Sequence, residues 1–167
     1  MKRSHLYILL VAALLAQLTI MHFIMIFGAV PDLMVIVVIF FGFFFGAGAG
    51  LEAGVTAGIM KDIFVIDFFG INAFVYGACG LLAGLISGKL NKESRMSQFV
   101  LAAVFTAFSM SVHYILVSIL SRGLALGYTE YLFSSILPVS AYTGLIAIPC
   151  FSKLTNFYGL RHLEELL

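Results

Sequence analysis

Long runs without charge constrain this chain more than any other feature. No Asp, Glu, Lys or Arg occurs from Ser4 to Pro31, Leu33 to Leu51, Phe68 to Gly88, Met96 to Ser121, or Tyr131 to Ser152. Each run is close to or longer than the ~18 to 20 apolar residues with which a helix crosses a hydrocarbon core of about 30 Å. Lipid offers no partners to backbone N–H and C=O groups, so such segments cross as helices. Of the 167 residues, 62% are hydrophobic and 10% charged, whereas a soluble domain is roughly 25% charged. The sequence therefore reads as an all-α integral membrane protein.

A further crossing is expected inside the stretch Gly50 to Ile66, despite Glu52, Lys61 and Asp62, because "GAGAG" (residues 46–50) can turn tightly between two apolar flanks. The expectation is a single transmembrane domain over residues 1–167, a six-helix bundle crossing near 6–27, 32–45, 50–66, 71–88, 97–120 and 131–150. One long tilted helix, or a re-entrant pair, is the alternative for the second and third crossings. Basic residues orient the bundle, since cytoplasmic loops carry the excess of Lys and Arg. Six crossings with both termini cytoplasmic put Lys2, Arg3, Lys89, Lys92, Arg95, Lys153 and Arg161 inside, and only Lys61 and Arg122 outside. These few cations are then accounted for by orientation, and no nucleic-acid patch remains. The first apolar run is too long for a signal-peptide core and lacks a cleavage site, so it is taken as a membrane helix. Cys79 and Cys150 fall in membrane segments without metal-ligand or redox spacing, and read as packing residues.

Glycine recurs at Gly42, Gly46, Gly50, Gly54 and Gly58, and again at Gly80, Gly84 and Gly88. Each would cost about 1 kcal/mol against alanine in a water-exposed helix. In lipid, small residues at a spacing of four let two helix backbones approach. The expected role is a tight turn near Gly46 to Gly50 with contact faces on either side, packed against helices of the same chain or against a partner.

Ionisable residues within apolar segments are costly, which makes each one informative. Glu52 is expected at a cytoplasmic turn. Asp62 is either a polar clamp between helices, a proton-sensitive site, or a side chain snorkelling to the outer surface. His22 and His113 read as hydrogen-bonded membrane histidines. In "VPDL", Pro31 suits a helix start and Asp32 the positive end of the helix dipole. In "DFFGIN", Gly70 suits a turn and Asn72 a helix cap. No metal-ligand cluster, paired-carboxylate framework, serine-nucleophile setting or phosphate loop is visible, so neither catalysis nor a cofactor is expected.

The order of these elements resembles the bacterial rod shape-determining MreD family. Its pattern is matched by Pro31, Asp32 and Leu33, then by Gly54, Gly58 and Asp62, then by Gly70, Ile71 and Asn72, within the segment Val30 to Arg95. Phe69 and Lys61 depart from it. The resemblance implies a non-enzymatic scaffold of the elongation machinery in the inner membrane. It also implies binding to MreC and, through it, an association with the filament MreB and the glycosyltransferase and transpeptidase of the sidewall; self-association stays open. It implies further a fold similar to the substrate-binding subunit of energy-coupling-factor transporters. A vitamin transporter subunit of that kind is the alternative function, with Asp32, Asp67, Asn72, Arg122 and Glu130 as the available polar groups near the outer face.

Overall fold

In the computed structural model, residues 3–19, 25, 28–64, 68–92, 94–121 and 127–160 are described. They form α1 (Arg3–Thr19), α2 (Leu33–Phe45), α3 (Ala47–Phe64) and α4 (Ile71–Ile86), the last prolonged by a 3-10 turn (Ser87–Lys89). Then follow α5 (Arg95–Leu120) and a short α6 (Tyr128–Tyr131), which runs through a π turn (Leu132–Ile136) into α7 (Leu137–Phe157). The π turn has a local cause. Pro138 has no N–H to give the carbonyl four residues back, and the widened turn relieves the clash of its ring with that carbonyl.

Among the described residues three helices, not the expected six, are long and apolar enough to cross a membrane: Ile71–Lys89, Arg95–Leu120 and Tyr128–Phe157. α3 has the length but carries Glu52, Lys61 and Asp62. The described part of α1 stops at Thr19. α2 has 13 residues, roughly 20 Å at the helical rise. Its surroundings explain why so short a helix can be so apolar. Every residue from Met34 to Phe43 is buried, and α1, α3, α4, α5 and α7 all touch it. A helix that is hydrophobic all round and enclosed by protein need not match the thickness of the lipid. The whole is an all-helical, multi-pass membrane protein with α2 at its centre.

The break between α2 and α3 is one residue wide rather than the five of "GAGAG". Gly46 alone leaves the helix, at φ 93°, a conformation that costs glycine nothing. There the chain folds back on itself. Lys61 Nζ, near the end of α3, lies 2.9 Å from Asp32 Oδ2 at the start of α2, whereas a continuous helix would separate them by roughly 40 Å. One long tilted helix is thereby excluded.

α3 then runs antiparallel to α4 at backbone contact. A methyl group added at Gly50 would strike the Gly80 carbonyl, at Gly54 the Tyr76 carbonyl, at Gly58 the Ala73 backbone, and at Gly84 the Ala47 backbone. As the position on α3 rises by about four, its neighbour on α4 falls by about four, so one register holds along the whole pair. Gly42 joins from α2, its added methyl again meeting the Gly80 carbonyl. Gly46 does not belong to this contact face, because a methyl there would meet nothing within 4 Å; its part is the turn.

Candidate functional site

Polar side chains gather at the end of the bundle where α2 begins and α3 ends. Asp32 is the N-cap of α2, its Oδ1 accepting from the Val35 N–H at 3.1 Å. Pro31 precedes this cap instead of opening the helix. Four other helices reach the same two residues. Gln17 of α1 donates to the Pro31 carbonyl at 3.0 Å and accepts from the Leu33 N–H at 2.8 Å. Thr143 of α7 accepts from the Asp32 N–H at 3.1 Å. Lys61 of α3 and the Tyr76 hydroxyl of α4 both donate to Asp32 Oδ2, and Lys61 also donates to the Tyr76 oxygen. The ammonium lies 4.9 Å from the centre of the Tyr76 ring, within range of a cation–π contact. The side chains of Lys61 and Asp32 keep 29% and 15% of their exposure, so the pair is sheltered without being sealed.

A second carboxylate ties α3 to the first turn of α4. Asp62, 5% exposed, accepts from the backbone N–H groups of Gly70, Asn72 and Ala73 and from the Asn72 amide, at 2.8 to 3.1 Å. The first N–H groups of a helix have no partner within it, and here another helix supplies one. Asp62 is therefore bonded within the bundle, as a polar clamp between α3 and α4 would be, and does not snorkel to the outer surface. Asn72 is not the cap that the sequence suggested. Gly70 occupies the N-cap at φ 99°, without a side-chain bond, and the Asn72 amide spends itself on Asp62.

Beside Asp32 and Lys61 opens a cavity of about 410 Å³, which Asn72, Tyr76, Ser109, His113, Tyr131 and Ser135 also line. Asp32 and Asn72, two of the polar residues expected near the outer face, thus meet at one place. Glu130 is exposed on α6 and takes no part, and Asp67, Arg122 and His22 lie outside the described residues. At the opposite end, Glu52 accepts from the Tyr7 hydroxyl at 2.8 Å in an exposed position. No group of three or more His, Cys, Asp or Glu that could hold a metal ion occurs among the described residues.

Lys61, Tyr76, Gln17 and Thr143 were not anticipated as members of this cluster. A signal for Lys61 was present: a lysine and an aspartate in otherwise apolar segments have reason to pair. For the three neutral residues no linear pattern exists, because each comes from a different helix.

A family model described as rod shape-determining protein MreD matches residues 2–159. Neither the curated proteins nor the solved structures yield a match.

Proposed function

The chain belongs to the MreD family of rod shape-determining proteins, and from that premise we propose that it is a membrane scaffold of the bacterial elongation machinery. It is a multi-pass inner-membrane protein and, as a member of this family, not an enzyme. In the proposed role the bundle crosses six times with both termini cytoplasmic. It binds MreC and, through MreC, positions the sidewall glycosyltransferase and transpeptidase relative to MreB. Family membership carries this reading. The interlocked α3–α4 pair supports it, since helices in backbone contact make a stiff platform. Its glycine faces are spent within the chain, so a partner would meet the outer flank of α3, where Leu51, Val55, Ile59 and Ile63 are exposed.

A second reading, the substrate-binding subunit of an energy-coupling-factor transporter, is favoured by the polar cavity, which such a subunit requires. Co-purification from native membranes in gentle detergent, with partners identified by mass spectrometry, separates the two. Recovery of a coiled-coil MreC-like protein with cell-wall synthases is the expected outcome. Recovery of a transmembrane coupling protein with paired ATPases would replace the scaffold by transport.

A further inference from the structure

We propose that the cavity beside Lys61 and Asp32 is a binding site for one phosphate-bearing group about the size of glycerol phosphate. The claim begins with donors and acceptors. An ammonium has three N–H donors, and those of Lys61 serve Asp32 and Tyr76, which leaves one to give. Asp32 already accepts three hydrogen bonds, from Val35, Lys61 and Tyr76, of the about four that a carboxylate can take. The cluster therefore keeps a charge-bearing N–H donor beside a carboxylate whose acceptor capacity is nearly used, and this arrangement favours acidic oxygens over amines, although the ion pair itself is neutral.

Other groups around the cavity fit the same ligand. Tyr131 and Ser135 bring hydroxyls from α6 and the π turn, and π turns inside helices recur at functional sites. Val75, Met110 and Val139 contribute apolar lining, suited to a glycerol backbone or the first carbons of an acyl chain. A volume of about 410 Å³ lies in the range of small-ligand pockets, roughly 300 to 1,000 Å³. An ammonium acting as a point charge, with hydroxyl donors beside it, suits a phosphate's several oxygens. The phosphate could belong to a lipid headgroup or to a water-soluble ester. The site would serve either, whichever partners the bundle assembles with.

The test uses the full chain in phosphatidylcholine nanodiscs. Phosphatidylglycerol retention is read by native mass spectrometry, and glycerol 3-phosphate binding with radiolabel. Lys61→Met removes the donor, and Ser135→Phe fills the cavity while leaving every residue of the Asp32 cluster unaltered. Lys92→Met, a control at the other end of the bundle beside the Phe44 ring, should leave binding unchanged. Losing a hydrogen bond to a charged group should weaken binding about tenfold or more in Lys61→Met, and Ser135→Phe should abolish it. Binding of phosphatidylglycerol alone assigns the site to lipid, and binding of glycerol 3-phosphate alone assigns it to a soluble ester. If neither probe binds the unaltered protein above the phosphatidylcholine background, or if a folded Lys61→Met or Ser135→Phe protein binds as before, the proposal is overturned. Should Lys61→Met fail to fold, Ser135→Phe alone decides.

Discussion

Asp62 sits on α3, but the backbone groups that it satisfies belong to α4. An N-cap replaced by alanine usually costs about 0.5 to 2 kcal/mol. Here three backbone N–H groups and one side-chain amide converge on a carboxylate that is 5% exposed, and little water can take its place. Each buried donor left without an acceptor adds roughly 1 to 3 kcal/mol. Of the four donors only the two on Asn72 are buried, so Asp62→Ala should cost about 3 kcal/mol and lower the apparent melting temperature by roughly 10 °C. Asp62→Asn, which keeps one acceptor oxygen, should lose about half as much. Size-exclusion profiles after heating in detergent measure both, and melting curves that overlay the unaltered protein would remove the clamp. Part of this was legible in the sequence, because a carboxylate four apolar residues away from the nearest loop has to be paid for somehow. Its partners were not legible, since they are backbone groups whose approach depends on how α3 and α4 align. For the same reason Asn72, a good cap by residue type, proved to be a donor to Asp62 instead.

The α3–α4 pair shows how a spacing rule carries one kind of information and omits another. The four-residue recurrence of glycine announces close helices, yet it treats Gly46, Gly54 and Gly58 alike and leaves out Gly48. In the fold, Gly54 and Gly58 abut the α4 backbone, whereas a methyl at Gly46 or Gly48 would meet nothing within 4 Å. The difference comes from where the helix ends and which side it turns to α4, and the sequence spacing encodes neither. Two alanine variants with the same local chemistry should thus have opposite effects. Gly54→Ala pushes a methyl into the Tyr76 carbonyl and should destabilise by about 1 to 3 kcal/mol as the helices are forced apart. Gly48→Ala, exposed in the first turn of α3, should stabilise by about 0.5 kcal/mol through helix propensity. Melting temperatures that shift in the same direction for the two variants would contradict the register described for this pair.

At the scale of the whole molecule, the α2–α3 hairpin leaves the sidedness of every other element unchanged. Because α2 and α3 return to the end from which they set out, the sides assigned to α1, α4, α5 and α7 do not depend on whether the hairpin spans the bilayer or stops within it. The ion pair sharpens the orientation as well. Lys61 is matched by Asp32, so it adds little to the cation balance, which is set by the basic residues around Lys89, Lys92 and Arg95. The depth of the hairpin is a separate question, and Glu52 bears on it. Its half-buried carboxylate, bonded to the exposed Tyr7 hydroxyl, calls for water at the end where α2 meets α3, and Gly48 lies closer to that junction than Glu52 does. Single cysteines at Gly48, Gly88 and Gly127, where a side chain meets nothing within 4 Å, can be placed in a background with Cys79 and Cys150 replaced by alanine. A membrane-impermeant maleimide should label Gly127→Cys on intact spheroplasts, and Gly88→Cys and Gly48→Cys only once the membrane is opened. Failure of Gly48→Cys to react on either side would make the hairpin re-entrant and leave the remaining topology standing. Labelling of Gly88→Cys from outside would invert the whole bundle, carrying the cavity beside Lys61 to the cytoplasmic face.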